Sequence, residues 1–514
     1  MNKKKGFFFR LLDGVEKVGN ALPHPVTIFL MLCVVIAVVS HIAYLAGASV
    51  TYLGVDATTK ESVDITVAAT SLLTADGIRY IFTSAVTNFT GFAPLGTVLV
   101  AMLGVGVAEG TGLISSLLKK LVLSTPKTLI TIVVVFAGVM SNVASDAGYV
   151  VLVPLGAIIF ASVGRHPLAG LAAAFAGVSG GFSANLMIGT IDPLLGGITT
   201  EAAKMIDPSV TVNATANLYF MFVSTFLITA LGALVTEKIV EPRLGEYKGS
   251  HIEKLDVVSK EEKRGLKFSL IALLIFLAVM VILVAPSNGI LRNPETGEWL
   301  GNSPFMNSIV FIIGLLFLIP GVAYGMGAGT VKNDKHVEKF MAKAMASMGS
   351  YLVLAFVAAQ FIAYFSYTKL GTIVAVKGAE ALNAAGIKGV GLIILFILLT
   401  GFINLFMASA SAKWAIMAPV FVPMFMRVGL SPELTQVAYR IADSSTNIIT
   451  PLMAYFAVIV AFASKYDEDA GIGTMISTMV PYSVIFLIGW SILLIVWYLV
   501  GLPLGPGAGL TYLM

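Results

Sequence analysis

Residues 128–164 read TLITIVVVFAGVMSNVASDAGYVVLVPLGAIIFASVG, an apolar run broken at its centre by Ser141-Asn142-Val143-Ala144-Ser145-Asp146. A helix crosses the hydrocarbon of a bilayer in about 20 apolar residues. The run is therefore too long for one crossing, and its polar centre falls where a single helix would lie deepest. A second run, 390–427, has the same build. From Gly391 it reads GLIILFILLTGFINLFMASASAKWAIMAPVFVPMFMR, with Ala408-Ser409-Ala410-Ser411-Ala412-Lys413 at its middle. Whether each run crosses the membrane or enters and returns fixes the topology of everything that follows it.

The distribution of basic residues decides between the two. Nine other stretches are long and apolar enough to span, near 26–46, 91–118, 168–191, 217–236, 268–286, 305–323, 346–367, 433–463 and 474–500. Lys and Arg accumulate in cytoplasmic loops, so Lys3, Lys4, Lys5, Arg10 and Lys17 place the N-terminus inside. A single crossing at 128–164 would put Arg165 and the later basic loops on the wrong side. A re-entrant hairpin there brings the loops 237–267 and 332–343 inside. A second hairpin at 390–427, entered from outside, puts Lys465 inside and leaves the uncharged C-terminus outside. Of the 32 Lys and Arg, 22 then lie inside, 7 in outside loops and 3 (Lys413, Arg427, Arg440) within apolar segments. The expected fold is an all-α polytopic membrane protein of nine transmembrane helices with two opposed re-entrant helical hairpins.

Composition agrees. The 514 residues are 57% hydrophobic and 12% charged, with a mean hydropathy of +0.93. An ordinary soluble chain carries about 25% charged residues, so soluble multidomain enzymes, disordered chains and nucleic-acid binders are poor fits. The net charge of +4 is scattered, which gives no phosphate-tracking stripe and no nucleic-acid partner. Cys33 is the single cysteine and excludes an intrachain disulfide framework. Ala46-Gly47-Ala48 is a candidate signal-peptide cleavage site, but the stretch before it is too long and too apolar for a signal peptide. It is read as a retained span.

The two hairpin segments match at one offset. Tyr149 and Trp414, Pro154 and Pro419, Gly164 and Gly429, Pro167 and Pro432, and Ser179 and Ser444 are each 265 positions apart. Chance in an apolar alphabet is the alternative. An odd number of spans, five, separates the hairpins, so the two units must have opposite orientation, the form of an inverted-topology repeat. The chain then divides into an N-terminal scaffold (1–127), a first repeat unit (128–236), a charged cytoplasmic loop (237–267), three connecting spans (268–389), a second repeat unit (390–463) and a last span with the C-terminus (464–514).

Non-helical backbone at membrane depth survives only where it is buried in protein or lines water. Both tips carry small hydrogen-bonding residues: Ser141, Asn142, Ser145 and Asp146 in the first, Ser409, Ser411 and Lys413 in the second. Such breaks bring positive helix N-termini to a common point. Two more interruptions are expected, at 179–185 running on to Asp192-Pro193, and at Asp443-Ser444-Ser445-Thr446-Asn447 ahead of Thr450-Pro451. Their oxygens suit a hard monovalent cation such as Na⁺. Asn185, Asp192, Asp443, Ser444, Thr446 and Asn447 are the candidates for the coupling ion, Na⁺ or H⁺, and no other metal or cofactor is expected.

A charge at the bilayer centre costs at least about 2.5–3.5 kcal/mol. Six residues stand out: Glu109, Asp146, Asp192, Lys413, Arg440 and Asp443. Arg440 and Asp443 are three apart, on one helix face, and able to pair. The pair is either purely structural, or Arg440 fixes a substrate carboxylate while Asp443 exchanges a proton or holds a cation. Asp192 is either a ligand or the cap of its span. Lys413 is an anion-binding or a snorkelling group, and Asn404 is helix–helix glue or a substrate contact. Glu109 sits among Gly104, Gly106, Gly110 and Gly112, where close helix packing is the simpler account.

Enzyme signatures fail. Gly177-Val178-Ser179-Gly180-Gly181 has nucleophile-elbow spacing but neither a preceding strand nor a His partner. No Walker or HExxH sequence is present, and no catalytic residue is assigned.

At SNVASDAGYVVLVPLGA, GFSANLMIGTIDPLL, SASAKWAIMAPVFVPM and RIADSSTNIITPLM the chain resembles the aminobenzoyl-glutamate transporter (AbgT) family, and the likeness runs over nearly its whole length. The resemblance implies nine membrane helices with two opposed hairpins, a homodimer around an aqueous basin, and substrate-cavity positions at Asp192, Asn404, Trp414, Pro432, Arg440 and Asp443. It implies secondary transport of p-aminobenzoyl-glutamate or of sulfonamide antimetabolites across a bacterial inner membrane, driven by a proton or Na⁺ gradient. The Trp414 indole suits an aminobenzoyl ring, and Arg440 suits the glutamate carboxylates. The other readings are a Na⁺/dicarboxylate symporter with paired hairpins and a membrane-embedded hydrolase using Ser179.

Overall fold

The computed structural model describes residues 23–55, 62–144, 148–247, 258–299, 303–407, 409–453, 455–468 and 470–512. Ser145, Asp146 and Ala408 of the hairpin tips lie outside them. Among the described residues, seven helices are long and apolar enough to cross a bilayer: Pro25–Leu45, Ala75–Thr111, Leu218–Leu244, Lys260–Val284, Ile309–Ala328, Gly349–Tyr367 and Ile472–Val500. The segments expected to span at 168–191 and 433–463 are each two half-helices. The first is Pro167–Phe175, carried on by a wide turn to Gly180, then non-helical chain, then Ile191–Ala203. The second is Pro432–Asn447 followed by Phe456–Ser464.

Both long apolar runs are hairpins. Ile130–Ser141 returns as Val153–Ser162, and Gly389–Asn404 returns as Ala410–Arg427. A sharply bent helix leads into each. Leu113–Leu123 meets Lys127–Ser141 at 114°, and Leu370–Ala384 meets Gly389–Asn404 at 119°.

The hairpins open to opposite faces. The link after the first carries Arg165, whose Nε donates to Glu241 Oε1 at 2.8 Å. The link after the second is strapped by the C-terminal segment. There Tyr512 N–H donates to Gly429 O at 3.0 Å and Ser431 Oγ to Gly509 O at 2.8 Å. Tyr512 Oη also donates to Asp207 Oδ2 at 2.7 Å, which puts the far end of the first broken segment on that same face. This is the inverted repeat. Its two half-helices even start alike: Pro167 and Pro432 stand in the first turn, while His166 Nδ1 and Ser431 Oγ accept from Leu168 N (3.2 Å) and Leu434 N (3.1 Å). Proline at that position loses no helical hydrogen bond, and a side-chain acceptor satisfies an orphan donor.

Lipid tails are as apolar as leucine, so helices in a bilayer associate through close packing of small residues. Gly104 lies where a Cβ would stand 1.8 Å from Gly314 O on the crossing helix, and Gly138 meets Gly177 in the same way at 2.8 Å. The glycine run around Glu109 is thus a helix-crossing surface.

Some structure differs from the expectation. The span placed at 91–118 takes in the second half of a helix Ala75–Thr111 and runs past the left-handed Gly112 into Leu113–Leu123; the first half of the longer helix carries Asp76, Arg79 and several hydroxyls and so lacks a hydropathy signal. Ser49–Val55 and Ser62–Ala68 form an antiparallel ribbon with Val50 opposite Val67 and Tyr52 opposite Ile65. The second interruption starts later than expected, because Asp443–Asn447 is the last helical turn. Within that turn Thr446 Oγ1 bonds back to Ala442 O at 2.6 Å, so the hydroxyl is satisfied without unwinding the chain. The chain leaves the helix at Ile448, ahead of Pro451, which cannot continue it.

Candidate functional site

The breaks of both repeats meet, and four buried charges meet with them. Arg440 and Asp443 do not pair with each other, although their spacing allows it. Asp192 opens the half-helix Ile191–Ala203, and its Oδ2 accepts the Gly189 N–H at 2.6 Å, so it does tie down its helix end. Its Oδ1 faces Arg440 Nη2 at 2.6 Å. Lys413, in the first turn of Ala410–Arg427, takes Asp443 instead, with Nζ 2.5 Å from Oδ1. Three-residue spacing puts Arg440 and Asp443 on one face, yet each has an opposite charge from another element within 3 Å, and that partner wins.

The two pairs differ in quality. Lys413 Nζ donates to Asp443 Oδ1 and also to Asn404 Oδ1. Asn404 Nδ2 reaches Asp443 O (2.9 Å), Thr446 Oγ1 (2.7 Å) and Asn447 Oδ1 (2.9 Å), while Asn447 Nδ2 lies 3.3 Å from Asp443 Oδ2. This cluster is closed and satisfied. Arg440 and Asp192 stand at ion-pair distance without hydrogen-bond alignment. Arg440 Nε and Nη2 and Asp192 Oδ1 are buried with no hydrogen-bond partner among the described residues. A buried donor left unmade costs about 1–3 kcal/mol, more for a charged group.

The other expected residues fall into two groups. Near the cluster, Ser444 Oγ and Ser445 Oγ are buried without hydrogen-bond partners, as is Asn185 Oδ1. At the first tip Ser141 Oγ turns back to Gly138 O (2.7 Å) and Asn142 Nδ2 to Val139 O (3.1 Å), which leaves Asn142 Oδ1 unbonded. Ser409 caps the returning helix of the second hairpin, and Ser411 is half-buried. Pro432 begins the half-helix that carries Arg440 two turns further on, next to the link from the second hairpin. Trp414 is fully buried. Its Nε1 donates to Thr199 Oγ1 at 2.9 Å and its ring lies 4.4 Å from that of Tyr439, so in this conformation it packs within the protein. Ser179 Oγ lies 3.3 Å from Met453 Sδ.

A cavity of about 180 Å³ lies at the start of the half-helix Ile191–Ala203, lined by Asn142, Phe182, Thr190, Ile191, Leu194 and Tyr351. A wider one of about 380 Å³ lies at the other end of the same half-helix, among Tyr80, Asn88, Glu201, Lys204, Tyr367 and Lys369.

Gln436, Thr199 and Asn217 escaped the sequence reading. Gln436 Nε2 donates to Asn217 Oδ1 at 2.8 Å, and Gln436 Oε1 lies 2.6 Å from Thr199 Oγ1. A signal existed, since 436, 440, 443 and 447 form one polar stripe at helical spacing. Among the described residues no cluster of His, Cys, Asp and Glu could hold a metal.

Comparison with known proteins gives the same picture. The profile of the AbgT putative transporter family matches residues 10–512. The p-aminobenzoyl-glutamate transport protein of Escherichia coli K12 is 39% identical over 499 residues, spanning 97% of this chain and 96% of that protein. Two solved structures superpose closely. MtrF of Neisseria gonorrhoeae, from a class of antimetabolite efflux pumps, has TM-score 0.91 and 51% identity over 97% of this chain and all of its own. The YdaH transporter of Alcanivorax borkumensis, with an unusual topology, has TM-score 0.88 and 48% identity over 94% of this chain and all of its own.

Proposed function

Because the chain belongs to the AbgT transporter family, we propose that it is a secondary active transporter of p-aminobenzoyl-glutamate, of sulfonamide-type folate antimetabolites, or of both. The observation that carries the reading is Arg440: a buried guanidinium at the meeting point of two inverted half-helices, with two donor nitrogens unbonded. A carboxylate accepts a guanidinium's parallel donors, so the glutamate moiety is the better-matched substrate end. Alternating access follows from the layout. The charges lie where the hairpin tips converge, and each hairpin opens to its own face. A proton or Na⁺ gradient drives the cycle, with Asp192 and Asp443 as coupling groups. The protein works as a homodimer in contact with lipid in a bacterial inner membrane, with its N-terminus cytoplasmic and its C-terminus outside.

Flux into proteoliposomes tests this. Labelled p-aminobenzoyl-glutamate and a labelled sulfonamide are offered under imposed pH and Na⁺ gradients. Gradient-dependent movement of one of them is expected, and none for either would overturn the assignment. Strong competition by succinate or citrate would turn the reading to a dicarboxylate symporter. Crosslinking in mild detergent that finds only monomer would overturn the dimer.

A further inference from the structure

We propose that Lys413 is a tethered cation occupying the seat beside Asp443 that a coupling metal ion would take, and that it thereby excludes Na⁺ from this site. The inference rests on the transporter reading, but its test does not use flux.

The Asn404 amide gives the first argument. Its Nδ2 faces three acceptors, Asp443 O, Thr446 Oγ1 and Asn447 Oδ1, so its Oδ1 is compelled toward the remaining direction. There it meets Asp443 Oδ1 around one point, and the Lys413 ammonium stands on that point. A carboxylate and an amide oxygen converging on a dry point are two ligands of the kind a hard cation takes, and they begin a cation seat.

Charge gives the second. Asp192 and Asp443 are balanced by Arg440 and Lys413, all four buried. A metal ion added here would bring uncompensated positive charge into a low-dielectric interior and would stand against an ammonium already in place.

Helix polarity gives the third. Lys413 lies in the first turn of Ala410–Arg427, the end where a cation is disfavoured by the helix dipole. Its charge serves the partner across the gap. The Tyr439 ring, 5.4 Å from Nζ, closes the seat from the side.

Purified full-length protein is melted in rising NaCl against choline chloride at matched ionic strength. The wild type and Lys413→Arg are expected to show no Na⁺-specific change in Tm. Lys413→Gln frees Asp443 and is expected to gain a saturable, Na⁺-specific rise of several degrees, lost again when Asn404→Ala is added. A Na⁺-specific saturable rise in the wild type that Asn404→Ala abolishes places Na⁺ in this seat and overturns the proposal, and so does a folded Lys413→Gln protein that shows none. The wild-type titration decides even if the variant does not fold. If neither substrate is transported but these Na⁺ responses appear, the substrate assignment fails and the tethered cation stands.

Discussion

Arg440 Nη2 and Asp192 Oδ1 meet at 2.6 Å, one from each half of the inverted repeat. The contact is the direct electrostatic tie between the two units at the depth where their helices break. Any rocking of one unit against the other pulls opposite charges apart in a poorly solvated place, unless an anion takes over the guanidinium.

Arg440→Ala leaves Asp192 buried and unpaired, and breaking a buried pair costs about 3–5 kcal/mol. Thermal unfolding should show that loss, and transport of p-aminobenzoyl-glutamate should vanish. The double variant Asp192→Asn/Arg440→Gln should recover much of the stability and none of the transport. Recovery of transport would remove Arg440 from substrate recognition.

Glycine crossings predict two opposite results from one type of substitution on one helix. At Gly104 a Cβ would stand 1.8 Å from Gly314 O, whereas at Gly96 nothing lies within 4 Å. Gly104→Ala should destabilise by about 1–3 kcal/mol or more, because backbone cannot step aside as a side chain can. Gly96→Ala should be neutral or stabilise by about 0.5–1 kcal/mol through helix propensity. Paired melting curves in one detergent check both.

His166 gives acid sensitivity. It lies in the link outside the membrane, where its Nδ1 accepts from Leu168 N and must therefore be unprotonated. Burial pushes its pKa below the usual value, with Asp467 and Glu241 partly opposing the shift. A depressed folded pKa means that the unfolded chain binds the proton more readily. The stabilisation is therefore full above about pH 6.5 and is lost as pH falls through the folded value. His166→Ser, which copies Ser431 at the matching position, should flatten the fall in Tm between neutral and mildly acidic pH.

The C-terminal strap should hold the outer end of the second repeat. Tyr219 and Phe220 N–H donate to Leu504 O, Ser431 N–H to Leu510 O, and Tyr512 N–H to Gly429 O. Truncation before Pro503 should raise amide exchange at 429–434 and 219–220 and leave the first hairpin's link at 163–166 unchanged. Tyr512→Phe, which loses only the bond to Asp207, should cost about 1 kcal/mol.

Much of the architecture was legible in the chain. Both hairpins fall at the segments that hydropathy and basic loops selected, and the repeat offset reappears in the twin caps at His166 and Ser431. Helix Ala75–Thr90 and the half-helix Ile191–Ala203 were read short, because the polar residues of TTEAAK and of the Asp76–Arg79 turn dilute an apolar window. The second break lies five residues beyond Asp443: serine, threonine and asparagine favour unwinding, yet Thr446 and Asn447 bond back within the helix. The Trp414 ring packs against Tyr439 with its N–H on Thr199, contacts from remote elements that no linear pattern announces.

The sequence by itself determined the membrane class, the two hairpins and their opposite sense. The bilayer acts on each segment separately, through apolar length and the side on which basic residues fall, and both can be read along a line. Only the tertiary structure decided which charges are partners. Helical spacing offered Arg440 to Asp443, but Coulomb attraction acts through separation in space and not along the chain, and folding brought Asp192 and Lys413 closer from elements remote in the sequence.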